Sequence, residues 1–237
     1  FVSGDNAPYS GQGDHNLYCL DHNTGVLKWK FYLGSTWTGS LHLNPEGGWI
    51  DSSPTLFNDR IYVGARDGWL YCLDANISDG VNDGYQELNW NPTGSDLVWK
   101  AKLTNTEAGY LVSTPAVAWN KVYVATTDSD IAVVGKEFGK LWALDAANGA
   151  IVAYYEIPEE GNVIDQRVLS SPTLAESEGL HRVFIGSCNY YMYALDAEPL
   201  LGPPPVILDR RWHVALNGNE GGCEIRGTPA YNDGHLY

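Results

Sequence analysis

The chain has 237 residues, of which 44% are hydrophobic and 18% are charged, and this balance excludes a disordered polypeptide. The formal net charge is −15 at pH 7, so we expect neither nucleic acid nor anionic lipid as a direct partner. No apolar run reaches the ~20 residues needed to span a bilayer. The 9 Trp, 15 Tyr, 26 Gly and 12 Pro residues indicate many short strands joined by turns.

The first clear elements are two strands at 17–20 and 27–29, joined by the turn Asp-His-Asn-Thr-Gly at 21–25. The side chain of Asp21 can accept backbone N–H groups of this turn, and Gly25 supplies the backbone freedom that a tight turn needs. Trp29 in the second strand is expected to pack between neighbouring sheets. This strand–turn–strand unit is the strongest local signal in the chain.

The same elements return along the chain in a fixed order of four strands. The first strands follow Ser/Thr-Pro steps at 53–54, 114–115, 171–172 and 228–229, the second strands lie at 60–64, 121–125, 182–186 and 235–237, the third strands end in Leu-Asp at 70–74, 141–145 and 192–196, and the fourth carry Trp99, Ala153 and Trp212. Four strands with alternating apolar residues, repeated about every 60 residues, predict the blades of a β-propeller.

The segment 17–29 resembles the PQQ-type repeat, whose consensus runs Tyr-Ala-Leu-Asp-x-x-Thr-Gly-x-x-x-Trp. The resemblance extends over essentially the whole chain, with insertions at 75–97 and 197–210. It implies an all-β propeller of four four-stranded antiparallel blades. Quinoprotein dehydrogenases, outer-membrane assembly lipoproteins and other extracellular proteins share this repeat, so the resemblance implies a fold rather than an activity.

We expect one domain, 1–237, with repeats at approximately 49–108, 109–165 and 166–222, and a fourth formed by 223–237 joined with 1–48. Read end to end, residues 236–237 and 1–5 give Leu-Tyr-Phe-Val-Ser-Gly-Asp, which matches 61–67 position for position. We therefore predict that both termini complete one blade, which would remove free strand edges. Two alternatives stay open: the N-terminal strand comes from the next molecule, or the chain is part of a longer protein.

A quinone cofactor is not expected. In the dehydrogenases that the resemblance names, the quinone lies on the axis of an eight-bladed ring, between a Trp and two adjacent cysteines and beside a Ca²⁺ ion. This sequence has no Cys-Cys pair and half the blades, and it lacks hydrolase, zinc, phosphate-loop and haem motifs. Its six histidines are dispersed. We predict no catalytic residues, with part of a PQQ-dependent dehydrogenase as the least favoured alternative.

The four cysteines divide into two kinds. Cys19 and Cys72 occupy the same repeat position on successive blades, too far apart for a disulfide, and should be buried thiols. Cys188 and Cys223 are a candidate disulfide between neighbouring blades, which would favour an exported protein; two free thiols are the alternative.

The loop after 70–74 is dense in oxygen ligands and glycine. It is a candidate structural Ca²⁺ site, although its glycine lies one place from the EF-hand spacing, and an Asx/Gly-rich turn is the alternative. The candidate ligands are Asp74, Asn76, Asp79, Asn82 and Asp83.

Long loops also carry aromatic residues that could anchor a partner protein, stack on a sugar, or cover the ends of the ring. These candidates are Tyr9, Trp37, Trp49, Tyr85 and Trp90. We expect a non-catalytic propeller, already processed for export, that binds proteins or copies of itself in the periplasm, outside the cell or at its surface. A carbohydrate- or small-ligand-binding module is the second hypothesis.

Overall fold

The computed structural model describes residues 2–3, 16–33, 51–65, 68–76, 97–104, 109, 111–129, 137–159, 165–198, 203–216 and 224–237. All regular structure in these residues is β. In chain order the strands are β1 (Val2–Ser3), β2 (Asn16–Leu20), β3 (Leu27–Tyr32), β4 (Thr55–Phe57), β5 (Arg60–Gly64), β6 (Trp69–Asp74), β7 (Leu97–Lys102), β8 (Ala116–Ala118), β9 (Lys121–Ser129), β10 (Glu137–Asp145), β11 (Ile151–Glu156), β12 (Thr173–Ser177), β13 (Leu180–Gly186), β14 (Tyr191–Asp196), β15 (Val206–Ile207), β16 (Arg210–Ala215), β17 (Tyr231–Asn232) and β18 (His235–Leu236). None of the described segments forms a helix capable of crossing a membrane.

The strands form five sheets, numbered here in chain order. Sheet 1 has the order β1-β2-β3, sheet 2 β4-β5-β6-β7, sheet 3 β8-β9-β10-β11-β15, sheet 4 β12-β13-β14-β16 and sheet 5 β17-β18. In sheets 1 to 4 the pairing of the Leu-Asp strand with the next strand shifts by one residue immediately before the leucine. This shared β-bulge shows that the four sheets are copies of one unit.

The inner strands of sheets 2 to 5 lie side by side, because β4 contacts β8, β8 contacts β12, and β12 contacts β17. The residue before each proline links one sheet to the next. The N–H of Ser53 donates to Oγ1 of Thr114 at 3.1 Å, and the N–H of Thr114 donates to Oγ of Ser171 at 2.8 Å. The N–H of Ser171 in turn donates to Oγ1 of Thr228 at 3.2 Å. The Ser/Thr-Pro steps are therefore contacts between blades.

Apolar side chains fill the space between successive sheets. Because neighbouring residues of a strand point to opposite faces, each sheet presents one apolar set to the sheet before it and another to the sheet after it. In β5, for example, Ile61 and Val63 pack against sheet 1, whereas Tyr62 packs against sheet 3. This stacking of twisted sheets around inner strands confirms the predicted β-propeller class.

Sheet 3 has a fifth strand that the sequence did not predict. The insertion 197–210 returns as β15 and pairs in parallel with β11, through Ala153 with Val206 and Tyr154 with Ile207. Leu208 is buried beside it, and its N–H donates to the carbonyl of Tyr154 at 2.8 Å. The sequence indicated only an insertion that lengthens a loop at 197–210, so no strand was expected there.

Closure of one blade by both termini stays a prediction. In the structure β1 pairs with β2, β18 pairs with β17, and the two pairs lie in separate sheets. Val2 pairs with Tyr18 just as Val63 pairs with Tyr71. The end-to-end alignment instead assigns Phe1 to the position of Val63, so its register is corrected by one residue.

Candidate functional site

The repeat builds a rigid turn after each Leu-Asp strand, seen most completely after β10. Oδ1 of Asp145 accepts the N–H of Ala147 at 2.8 Å and of Asn148 at 3.2 Å. The N–H of Gly149 donates to the carbonyl of Asp145 at 2.9 Å, and Gly149 has a φ of +75°. The aspartate-capped turn inferred from the sequence is therefore confirmed.

The tryptophan of the preceding sheet rests on this turn. Nε1 of Trp99 donates to the carbonyl of Ala146 at 3.1 Å, and the indole is 8% exposed. A Cβ atom added to Gly149 would lie 2.5 Å from Cε3 of Trp99, so the ring occupies the space that the glycine leaves. The Trp and Gly of the repeat motif thus come from neighbouring sheets and form one interlocking contact.

Sheet 3 makes the equivalent contact with a different residue. Ala153 stands where the other sheets have tryptophan, and the hydroxyl of Tyr123 donates to the carbonyl of Ala197, immediately after β14, at 2.9 Å. Burial raises the pKa of the Tyr123 phenol, which keeps the donor protonated. Sequence reasoning missed this role; the signal was the tyrosine shared by Tyr62 and Tyr123 at one repeat position.

In sheets 1 to 3, the strand that follows the Leu-Asp strand, together with the residue immediately after it, contributes three alternating residues to the contact with the following sheet. Sheet 1 uses Trp29, Phe31 and Leu33, sheet 2 uses Trp99, Ala101 and Leu103, and sheet 3 uses Ala153, Tyr155 and Ile157. All are buried except Ala101, which is half-buried. These positions therefore form the interface between blades.

In sheet 4 the side chains at the same three positions are exposed to solvent. Trp212, Val214 and Leu216 are 42%, 45% and 58% exposed. We call these three residues the end face. Sheet 5 covers only the inner part of this side, where Tyr231 stacks on Phe184 at 6.1 Å between ring centroids. Among the described strands β16 contacts β14 alone, so no other described strand covers the end face.

A cluster of ionic groups joins sheet 3 to the segments around sheet 4. Nη2 of Arg167 lies 2.7 Å from Oδ2 of Asp165 and 3.5 Å from Oε1 of Glu224, and its Nε lies 2.8 Å from Oε2 of Glu137. Potential ligand atoms of Asp165, Cys188 and Glu224 also lie within 4.8 Å of one another. The guanidinium of Arg167 already serves these carboxylates as their cation, which identifies the cluster as a structural ion-pair network.

The protonation of this cluster agrees with that assignment. Burial alone would raise the pKa of Asp165, but the hydrogen bonds from Arg167 outweigh it and hold the pKa below its usual value. Burial raises the pKa of Cys188 to about 12, so its thiol stays protonated at neutral pH. The pairing of Arg167 with Asp165 and Glu224 therefore favours a structural ion-pair network.

Replacing Asp165 by asparagine is expected to flatten the acid dependence of stability. The folded pKa of Asp165 lies below the ordinary value of about 4. Its carboxylate therefore stabilises the fold above that pH, and the stabilisation is lost as the pH falls through the folded pKa. Urea midpoints at pH 6 and pH 3 should show a larger loss in wild type than in Asp165→Asn. The exposed Asp59→Asn is the control, and equal losses in wild type and Asp165→Asn would contradict the assignment.

The calcium hypothesis stays a prediction. Oδ2 of Asp74 accepts Nη1 of Arg60 at 2.8 Å, and its Oδ1 accepts the N–H of Asn76 at 2.9 Å. Both oxygens of this first candidate ligand are thus used within the protein. The other three candidates, Asp79, Asn82 and Asp83, lie outside the described residues.

The cysteine predictions have different outcomes. Cys19 and Cys72 are buried free thiols, as expected, because they face the apolar space between sheets. Cys188 is also a free, buried cysteine, so the candidate disulfide with Cys223 is not supported; Cys223 itself lies outside the described residues. The three described cysteines stand apart and do not fit the adjacent pair of a quinone site.

The candidate aromatic anchors Tyr9, Trp37, Trp49, Tyr85 and Trp90 all lie outside the described residues. Trp212 is one of the described aromatic residues that the structure exposes, although its repeat position is that of a tryptophan packed between blades. Its repeat position predicted burial, and only the arrangement of the sheets shows that no described blade follows it.

Comparison with known proteins agrees with this architecture. A family model described as "Outer membrane protein assembly factor BamB" matches residues 1–202. Comparison with curated proteins gives no match.

Solved structures share the fold at low identity. The C-terminal domain of Pseudomonas aeruginosa PilY1 has a TM-score of 0.54 at 18% identity, over 93% of this chain and 48% of that chain. A europium-containing methanol dehydrogenase has a TM-score of 0.53 at 14% identity, over 85% of this chain and 38% of that chain. The quinohemoprotein alcohol dehydrogenase of Comamonas testosteroni has a TM-score of 0.53 at 15% identity, over 84% of this chain and 32% of that chain. The chain spans less than half the length of each of these structures, and the likeness concerns the fold alone.

Proposed function

This chain belongs to the PQQ-type repeat family described as outer membrane protein assembly factor BamB, and we propose on that premise that it is an exported, non-catalytic scaffold that binds other proteins. The observation that carries the proposal is the end face. Trp212, Val214 and Leu216 occupy an interface position of the repeat, yet they are exposed. A contiguous apolar strand face rimmed by charged residues is typical of a protein-binding surface.

The electrostatics favour a protein partner in a second way. Arg210 and Arg211 begin β16 immediately before Trp212, and both side chains are exposed. Nη2 of Arg211 is paired with Asp196, and this contact raises the pKa of its guanidinium. An apolar stripe bordered by arginine matches the composition of protein interfaces, in which aromatic residues and arginine are enriched.

The described cysteines also argue against a quinoprotein activity. Cys72 and Cys188 have pKa values raised to about 12 by burial, and each serves as a small apolar side chain. The sequence has no two adjacent cysteines at any position. The family description names an outer membrane protein assembly factor, and this description supports the export of the chain as part of the proposal.

The proposal is tested in two arms. Purified chain is incubated with PQQ, Ca²⁺, a primary alcohol and a redox dye, and we expect no dye reduction above a protein-free control. In its own cells, the chain then carries a photo-crosslinking residue at Val214 or, as control, at the exposed Leu180 of β13. We expect protein adducts at 214 and not at 180, in the exported fraction. Dye turnover, or equal labelling at both positions, would overturn the proposal; labelling by a glycan instead of a protein would support the carbohydrate module.

A further inference from the structure

We propose that the outer edge of β11 is a binding site for an extended segment of a partner protein, and that residues 203–209 of this chain occupy the site as a displaceable strap. The ligand class is a segment with apolar side chains two residues apart, in the pattern of Val206 and Leu208. The inference rests on the proposed protein-binding function, names the kind of partner, and adds a site separate from the end face.

The strap crosses from one blade to another. In the chain it lies between β14 and β16 of sheet 4, where the N–H of Asp196 donates to the carbonyl of Asp209 at 2.8 Å. Its strand β15 nevertheless pairs with β11 of sheet 3, and this pairing is parallel. The other strands of sheets 3 and 4 pair in antiparallel fashion. The strap is therefore added to the edge of a neighbouring sheet, which is the geometry of β-augmentation by a peptide.

The strap fills the place of a missing tryptophan. Ala153 of β11 has the repeat position of Trp99, and Val206 pairs directly opposite it. Paired residues, and residues two apart in one strand, share a face of the sheet, so Val206 and Leu208 lie on the same face as Ala153. Leu208 is 1% exposed and belongs to the same buried cluster as Ala153, with Val206 packed against that cluster. The small alanine therefore leaves a pocket beside β11 that accepts apolar side chains from an added strand.

Backbone and side chains of the strap make different kinds of contact. The N–H of Leu208 donates to the carbonyl of Tyr154 at 2.8 Å, a hydrogen bond that any non-proline residue can make. Ile207, between the two inward-facing residues, is 62% exposed. The strand edge thus supplies affinity without regard to sequence, and the pocket selects apolar residues at alternate positions.

The strap is held by a short ladder. It forms two residue pairs with β11, whereas β10 forms five with the same strand. The prolines at 203–205 have no N–H group and cannot donate to the edge, so they do not lengthen the ladder. We therefore expect the strap to open locally while sheet 3 stays folded, and a competing segment then takes its place.

Amide hydrogen exchange of the wild-type chain tests this local opening. Leu208 and Ile157 are both buried, and their N–H groups donate to carbonyls of sheet 3 at 2.8 and 2.9 Å. After correction for intrinsic rates, we expect the Leu208 amide to exchange at least tenfold faster than the Ile157 amide, because only the strap has to open. Equal rates would overturn the proposal, since the strap would then open only together with sheet 3.

A synthetic peptide is the probe for binding. Fluorescently labelled Pro-Pro-Pro-Val-Ile-Leu-Asp, the sequence of the strap, is titrated with the chain and followed by anisotropy. Leu208→Asp places a charge in the pocket and undocks the strap, whereas Ile207→Asp, at the exposed position of the same strand, is the matched control. We expect Leu208→Asp to bind the peptide at least tenfold more tightly than wild type or Ile207→Asp, because its own strap no longer competes. A peptide with aspartate in place of leucine should not bind.

A second substitution locates the peptide. Ala153→Trp, added to Leu208→Asp, fills the pocket with the side chain that the repeat has elsewhere, and should weaken peptide binding at least tenfold. Circular dichroism checks that each variant is folded, and Leu208→Ala replaces Leu208→Asp if the latter is not. Failure of the undocked variant to bind, equal binding by wild type, or binding that survives Ala153→Trp would each overturn the proposal. None of these results affects the end face, which cross-linking at Val214 tests separately.

Discussion

Replacing Trp99 by alanine is expected to destabilise the fold by about 3–5 kcal/mol. The indole fills the space between sheets 2 and 3, lies 5.9 Å from the ring of Tyr62, and donates a hydrogen bond to the carbonyl of Ala146. The variant loses the buried apolar area, leaves a cavity and removes a buried donor. Urea unfolding followed by far-ultraviolet circular dichroism measures the difference.

Trp212→Ala is the matched control for this measurement, because Trp212 has the same repeat position but is 42% exposed. At protein concentrations below any association, its cost should stay under about 1 kcal/mol, since an exposed side chain loses little on truncation. Equal costs at Trp99 and Trp212 would contradict the claim that the tryptophan stabilises through the turn of the next sheet.

Replacing Gly149 by alanine is expected to cost about 2–5 kcal/mol, whereas Gly25→Ala should cost only about 1–2 kcal/mol. Both glycines have a positive φ, +75° and +70°, so both alanine variants introduce a similar backbone strain. Only at Gly149 does the new methyl group also overlap the ring of Trp99. The difference between the two variants therefore measures the contact between blades.

A double variant isolates that contact. In the background of Trp99→Ala the obstruction at Gly149 is gone, so Gly149→Ala should fall to the cost of Gly25→Ala. Urea unfolding of the four proteins in the cycle gives the coupling free energy, which we expect to be about 1–3 kcal/mol. A coupling near zero would show that the turn and the tryptophan stabilise the fold independently.

Much of the fold follows from local sequence patterns. The alternation of apolar residues predicted the strand at 60–64, which the structure gives as Arg60–Gly64. The turn after Asp21 was predicted because a carboxylate one residue past a strand can satisfy the N–H groups that a tight turn leaves open, and Asn23 and Thr24 donate to it. Patterns of this kind can be predicted from the sequence because the residues that interact lie within a few positions of each other.

Other features depend on residues far apart in the chain and left no local pattern. The ion-pair cluster combines Glu137, Asp165 and Glu224 around Arg167, and these residues come from three separate segments. The strand β15 forms because the edge of β11 offers open backbone groups, in spite of the prolines before it. The predicted disulfide between Cys188 and Cys223 is not supported, because Cys188 is a free, buried cysteine beside this cluster.

The sequence by itself determined the repeat, its strands, its aspartate-capped turns and the tryptophans that join blades, since each depends on short-range backbone and side-chain chemistry. Only the tertiary structure decided which tryptophan is covered: Trp29 and Trp99 are buried under a following sheet, and Trp212 is not. The physical reason is that burial is a property of the neighbouring sheet and not of the residue. The same motif is therefore buried between sheets at one position and exposed at another.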